Sequence, residues 1–176
     1  ASAQIGNKYV IDAAPDGYTL LVGTTSLING AALFPNLPYD AARQLRPVVS
    51  LADLPIFLSI STQKYTAKTL REFVDTAKKT PNLNYGSAGA GTTLHMSAEW
   101  FKTATGIQAT HIPFKGSGPE VVALGGGQVD FAMENLGAVQ VMVQSGRVRL
   151  LGVASPARHP QAPDVPTFKE AGLPDV

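Results

Sequence analysis

The run Leu83-Asn84-Tyr85-Gly86-Ser87-Ala88-Gly89-Ala90-Gly91-Thr92-Thr93-Leu94 says more about the fold than any other stretch of this 176-residue chain. Leu83, Asn84 and Tyr85 read as a short strand. The glycines allow a tight turn, and the Thr pair leads into a helix whose inner face is Leu94, Ala98 and Phe101, with Gly106 as its C-terminal stop. A strand that ends in glycines and feeds a helix capped by Ser or Thr builds an anion site. The unpaired N–H groups of the first turn point outward, and the helix dipole favours negative charge. Gly89 and Gly91 would let the backbone approach a ligand closely, and Ser87, Thr92 and Thr93 would add hydroxyl donors. A plain glycine turn with a Thr cap leaves the same pattern, so the string alone admits both readings.

Similar units lie on either side. Towards the C-terminus, residues 109–112 read as a strand, followed by the loop Pro113-Phe114-Lys115-Gly116-Ser117. Ser117 and Glu120 have capping-box spacing ahead of a short helix ending near Leu124. Gly125, Gly126 and Gly127 turn the chain into a strand at 129–133. Glu134 and Asn135 then open a helix at about 138–144, and 148–154 is the next strand. The tail holds Pro156, Pro160, Pro163, Pro166 and Pro174 and reads as loop around one short helix near Phe168. Towards the N-terminus, Thr69 and Glu72 again have capping-box spacing, with Leu70, Phe73, Val74 and Ala77 on one apolar face and Pro81 beyond the end. Residues 47–60 hold two strand-like runs split at 53–55. Pro15-Asp16-Gly17 signals a turn, and Tyr18-Thr19-Leu20-Leu21-Val22 reads as a buried strand. Gly23-Thr24-Thr25-Ser26 then forms a polar loop at that strand's C-terminal end, the edge where ligands sit in open α/β sheets. Strands alternating with helices define an α/β architecture.

Composition narrows the function. With 44% hydrophobic and 15% charged residues the chain can form a core, and a formal charge of +1 without basic clusters disfavours a nucleic-acid or anionic-membrane surface. The absence of cysteine excludes thiol chemistry, disulfides and Cys-ligated metals. No apolar stretch approaches the roughly 18 residues of a membrane span, and the first residues lack the form of a signal peptide. The glycine run reads G-x-x-G-x-G and is followed by no Lys-Ser/Thr, so it is neither a dinucleotide fingerprint nor a P-loop. Ser87 does not stand in a G-x-S-x-G elbow. His95, His111 and His159 lack metal-ligand spacing and read as packed or hydrogen-bonded structural residues, so neither a metal nor a cofactor is expected. Lys115 could offer a charge to a carboxylate or simply be a solvated loop lysine. Glu134 and Asn135 follow a strand, where they could meet a ligand's polar end or cap the next helix.

Several strings, taken in order, resemble the substrate receptors of tripartite tricarboxylate transporters, the Bug-type receptors. They are Ala13-Ala14-Pro15-Asp16-Gly17-Tyr18-Thr19-Leu20-Leu21, Leu83-Asn84-Tyr85-Gly86-Ser87-Ala88-Gly89 and His111-Ile112-Pro113-Phe114-Lys115-Gly116, continued by Gly126-Gly127-Gln128-Val129-Asp130, Ala162-Pro163-Asp164-Val165-Pro166-Thr167 and Glu170-Ala171-Gly172-Leu173-Pro174. The resemblance implies a two-lobed periplasmic-binding-protein fold (type II) that closes on a small carboxylate. It also implies a periplasmic location and delivery to membrane subunits of a tripartite system. Residues 1–53 would form part of the first lobe, 54–147 a complete second lobe, and 148–176 a return to the first. Ser87 through Thr93 correspond to the carboxylate-gripping loop, while Thr24-Thr25-Ser26 and Glu134-Asn135 match positions lining the cleft. Glu134 stands where relatives usually carry Asp. Relatives are longer at both ends, so the first lobe is expected to be partial, with exposed edges through which the chain associates with itself.

Three functions are therefore set against one another. The first is a receptor for a small organic acid. The second is a hydrolase using Ser87, with His111 as a base but no evident acid to orient it. The third is a fragment that no longer binds ligand.

Overall fold

The computed structural model describes residues 3–34 and 36–173. Its framework is one sheet of five strands: β1 (Ile56–Ser61), β2 (Asn84–Ser87), β3 (Thr110–Pro113), β4 (Phe131–Asn135) and β5 (Val148–Ala154), in the order β3-β2-β4-β1-β5. β2 runs parallel to β3 and β4, whereas β1 is antiparallel to both of its neighbours, β4 and β5. The parallel part is made by crossovers through α5 (Thr93–Thr105) and α6 (Ser117–Gly125), the connection that parallel strands require.

Side chains alternate across the sheet and so divide the core in two. Phe131 and Met133 of β4 join Leu58, Ile60, Tyr85 and Leu151 under α4 (Leu70–Ala77) and α5, where Leu70, Phe73, Ala98 and Phe101 are buried. Ala132, between those two β4 residues, joins Ala123, Leu124 and Val148 under α6 and α7 (Leu136–Gln144), with Met142 packed alongside. Phe131 is the centre of the larger cluster. The rings of Phe73 and Phe101 meet it edge-on at 5.7 and 5.8 Å, and Tyr85 stacks on it at 5.5 Å. Such arrangements add about 0.5–1.5 kcal/mol per pair beyond area burial. Asp130 ties the layers together. Its carboxylate accepts from Lys64 Nζ at 2.9 Å, Tyr65 OH at 3.0 Å and the Asn84 N–H at 2.8 Å. Burial, with the Asp130 charge beside it, pushes the Tyr65 hydroxyl up to about 12.

The helix signals of the sequence are present in detail. The Thr69 hydroxyl accepts the Glu72 N–H and the Glu72 carboxylate accepts the Thr69 N–H, closing the capping box of α4. Gly106 ends α5 in the left-handed region at φ 73°.

Other expectations are corrected. Ser117 and Glu120 form no capping box: Gly116 occupies the cap position, and the Glu120 side chain is buried under the helix instead. The chain around Phe168 is not helical. Thr167 makes a single bridge to Val153 and turns follow, with Phe168 lying so close over Gly152 that a side chain there would have no room. The strand at 148–154, read as a return to another lobe, hydrogen-bonds along β1 in this same sheet and buries Leu151 and Val153. Residues 18–22 form no strand. Their backbone pairs with no strand among the described residues, and Asp16 Oδ1 takes the Tyr18 N–H in a turn. The first of the two runs in 47–60 is likewise irregular and exposed.

Before Ile56 the chain has three helices, α1 (Gln4–Asp12), α2 (Ser26–Leu33) and α3 (Ala41–Gln44), joined by irregular segments. Among the described residues of this region only Asn7 and Gly30 are buried.

Candidate functional site

β2 runs straight into the glycine loop, so the sheet fixes where the loop starts and α5 fixes where it ends. Gly89 and Gly91 have φ of +134° and +79°, values that residues with a side chain rarely adopt. Thr92 is the N-cap of α5: its hydroxyl oxygen accepts the His95 N–H at 3.3 Å, and its hydrogen goes to the Gly89 carbonyl at 2.8 Å. The loop is therefore a built turn with a helix N-terminus at its end. Ala90 is exposed and Ala88, Gly89, Thr92 and Thr93 are half-buried, while Ser87 and Gly91 are buried.

The N-terminal region reaches this loop. Thr25 Oγ1 is in hydrogen-bond contact with Thr93 Oγ1. Leu33 and Phe34, at the end of α2, lie against Gly91, where an added Cβ would fall 3.3 and 3.4 Å from their side chains. Thr24 is exposed, and its carbonyl accepts the Leu27 N–H at 2.9 Å. Ser26 begins α2, and its side chain lies outside the described residues. Nothing in the sequence singled out Leu33 or Phe34, because two apolar residues at a helix end look the same whether or not they cover a neighbour.

Behind the loop stands a stack of rings. Tyr85 and His111 are partners across β2 and β3, with ring centroids 4.9 Å apart, and His95 of α5 lies 4.1 Å beyond His111. His111 Nε2 is 2.6 Å from Ser87 Oγ, which also accepts the Gly89 N–H at 3.2 Å. The Gly91 N–H goes to His95 Nδ1 at 3.3 Å. Tyr85 OH bonds to Glu99, which Lys102 holds at 2.8 Å. Burial, and then the neighbouring His95, pull His111 down to about 4; burial also lowers His95. Burial and the Glu99 carboxylate raise the Tyr85 hydroxyl well above its usual range. Burial opposes ionisation of Glu99, yet hydrogen bonds from Lys102 and Tyr85 hold it below the ordinary carboxylate range.

Ser87 and His111 are thus within the reach a hydrolytic dyad needs, but the rest of the machinery is missing. Ser87 is fully buried, and an imidazole held near 4 is a poor base at neutral pH. The carboxylate of the cluster, Glu99, serves Tyr85 and Lys102 and does not orient His111. Among the described residues no group of His, Asp and Glu could hold a metal ion, and no helix is long and apolar enough to cross a membrane.

Glu134 and Asn135 sit at the end of β4, the strand beside β2. The Glu134 side chain is fully buried, and its Oε2 accepts the Asn135 N–H at 3.0 Å. It faces Glu120, and neither Glu120 oxygen has a partner other than this second carboxyl. Burial, then the Glu134 charge and hydrogen bond, push Glu120 up to about 9. Asn135, half-buried, holds the N-cap position of α7 without a capping side-chain bond. The Glu134 carboxyl thus lies in the layer beneath α6 with Glu120, whose Cγ would be 2.9 Å from a Cβ added at Gly86, next to the start of the glycine loop.

The whole chain, residues 1–176, matches the model of the tripartite tricarboxylate transporter family receptor. It is 35% identical over 178 residues to the protein BugT of Bordetella pertussis, covering 99% of this chain and 54% of that protein. Among solved structures it is similar to Rpa4515 of R. palustris with adipate (TM-score 0.90, 33% identity, 97% of this chain and 57% of that one). It is also similar to MatC of Rhodopseudomonas palustris with bound malate (TM-score 0.88, 33% identity, 100% and 61%). The chain spans about half the length of the curated relatives it matches. The mixed sheet with its crossover helices is shared with these solved structures, and the chain belongs to the tripartite tricarboxylate transporter receptor family.

Proposed function

We propose that this chain is part of a periplasmic receptor that captures a small organic carboxylate for a tripartite transporter. One carboxylate end of the ligand would be held between the glycine loop, Ser87 through Thr93, and the Thr24–Ser26 segment, with Asn135 at the margin. The observation that carries this reading is the meeting of the two loops at Thr25 and Thr93, where α5 begins and its dipole favours an anion. Relatives of the same fold hold adipate and malate, two acids that differ in length and share the terminal carboxylate. The periplasmic location rests on the family.

Calorimetry of the chain with malate, adipate and the uncharged adipamide tests the proposal. Binding of a diacid without binding of the diamide is expected. Thr93→Ala should weaken diacid binding about ten- to a hundredfold, the effect of losing one charge-assisted hydrogen bond. No heat with either diacid, or equal binding of the diamide, would overturn it.

A further inference from the structure

The region before Ile56 is fastened to the sheet through the glycine loop. Among the described residues, no backbone-to-backbone hydrogen bond and no ion pair joins the two parts of the chain. The hydrogen bond between Thr25 and Thr93 does join them, and so does the packing of Leu33 and Phe34 on Gly91. Both contacts fall where the ligand's carboxylate would sit.

On the N-terminal side they are the two ends of one helix. Thr25 is the N-cap of α2, Leu33 its last residue and Phe34 its C-cap. A helix of eight residues is too short to hold its form in water alone, so its place depends on what grips it. The grip at the Thr25 end is a bond between exposed hydroxyls, which can exchange each other for water at little cost. The grip at the other end is apolar and meets no such competition. Ile28, in the middle of α2, is 74% exposed, whereas Leu33 and Phe34 are 42 and 36% exposed.

On the other side Gly91 provides the seat. It lies in the left-handed region without a side chain, and a Cβ there would fall 3.3 Å from Leu33 Cδ1 and 3.4 Å from Phe34 Cε2, tighter than ordinary van der Waals contact. The seat is fixed from behind, because His95 Nδ1 accepts the Gly91 N–H at 3.3 Å. Two residues further on, Thr93 opens α5, whose first N–H groups have no partner within the helix. The apolar seat and the anion-favouring helix start are therefore held in one rigid turn.

We propose that Leu33 and Phe34 are positioning residues of the carboxylate site: seated on Gly91, they clasp α2 to the glycine loop and so hold the Thr24–Ser26 segment, at the other end of the same helix, against the start of α5. The role rests on the receptor reading above. The clasp touches no part of the ligand. It acts on affinity by setting the fraction of chains in which the two halves of the site are together, since the apparent dissociation constant is the intrinsic one divided by that fraction. Linkage makes the effect reciprocal, so a bound acid must tighten the clasp.

The test uses the double variant Leu33→Ala/Phe34→Ala and the conservative variant Phe34→Leu. Malate and adipate affinities are measured by calorimetry, core stability by urea unfolding followed at Trp100, and the state of α2 by hydrogen exchange at 26–34 with and without malate. The double variant should bind both acids about tenfold or more weakly, and Phe34→Leu should stay within about threefold of wild type. The urea midpoint should not move in either. Malate should slow exchange at 26–34 in the wild-type chain, a readout that needs no variant to fold. Wild-type affinity in the double variant, or malate binding that leaves exchange at 26–34 unchanged, overturns the positioning role alone. A lowered urea midpoint in the double variant also counts against it, since the two residues would then belong to the core. Binding of neither acid by the wild-type chain overturns the receptor reading, and the positioning role with it.

Discussion

Residues 18–22 and 56–61 are two extended, apolar stretches of one chain with opposite fates. Tyr18, Leu20 and Val22 are 93, 73 and 76% exposed, whereas Phe57, Leu58 and Ile60 are completely buried. Their composition does not separate them. The difference lies in the neighbours: β1 has β4 along one edge and β5 along the other, and the 18–22 stretch has no paired strand among the described residues. A backbone satisfies its N–H and C=O groups in a sheet only if another strand supplies the partners, so strand formation is a property of the pair. The whole chain divides on the same line, with a two-layered core after Ile56 and a thin, solvated region before it.

The largest effects should fall on the buried side of that line. Phe131→Ala removes the ring on which Phe73, Phe101 and Tyr85 converge and should cost about 3–5 kcal/mol in urea unfolding. Leu20→Ala should leave the midpoint unchanged within about 0.5 kcal/mol. A Leu20→Ala loss comparable to that of Phe131→Ala would show that the N-terminal region belongs to the same cooperative unit.

How much of this was legible in the sequence depends on whether a residue's partner lies nearby in the chain. The capping box at Thr69, the stop at Gly106 and the strand–glycine–helix unit at 83–94 are local signals, and the structure uses each as written. Where the partner is distant in sequence the reading failed. Ser117 and Glu120 had the spacing of a cap, but Glu120 instead meets Glu134 from another element. The 148–154 strand was legible as a strand, yet its pairing with β1 depends on contacts about 90 residues away, which local pattern does not encode. In the candidate site, the loop residues could be named from glycines and hydroxyls. The ring stack could not, because Tyr85, His95 and His111 come together only through the β2–β3 register and the seating of α5.

The buried pair Glu120 and Glu134 gives the core a pH dependence. Glu120 has a folded pKa of about 9 against about 4.5 in the unfolded chain, so the folded state holds an extra proton between those values. Its stabilising contribution is complete below the lower value and is lost progressively as pH rises towards the upper one. Unfolding free energy should therefore fall by up to about 1.4 kcal/mol per pH unit between pH 6 and 8, attributable to this one proton. Glu120→Gln keeps the shape, carries no proton to lose, and should flatten the slope. An equal slope in Glu120→Gln and wild type would mean that Glu120 does not hold the extra proton.

The exposed side makes its own prediction. Tyr18, Leu20, Val22, Val48, Val49, Leu51 and Leu54 are all more than two-thirds exposed, at about 25 cal/mol for each Å2 of apolar surface left in water. We predict that the chain associates with itself through 18–22 and 48–54. Light scattering over a dilution series should show an average mass that falls towards one chain on dilution. Replacing Leu20, Val22, Val48 and Val49 with Ser should give one-chain mass throughout. A wild-type chain that is monomeric even at high concentration would refute the association.

The smallest effect is the sharpest test of the division, because it uses one device on both sides. Thr69 caps α4 by accepting the Glu72 N–H, and Asp40 caps α3 by accepting the N–H groups of Ala42 and Arg43. As local hydrogen bonds the two are alike, and removing either cap should cost its own helix about 1 kcal/mol. What differs is whether that helix is part of the unit that unfolds together. α4 buries Leu70, Phe73 and Ala77 in the main core, so Thr69→Ala should lower global stability by the full amount. α3 has four residues and buries none of them, so Asp40→Ala should only fray a segment already open to water. Urea unfolding followed by the near-ultraviolet signal of Trp100 and the buried tyrosines should shift for the first variant and stay within error for the second. Hydrogen exchange at 41–45 should still quicken in Asp40→Ala. Equal shifts in the two midpoints would erase the distinction between the regions.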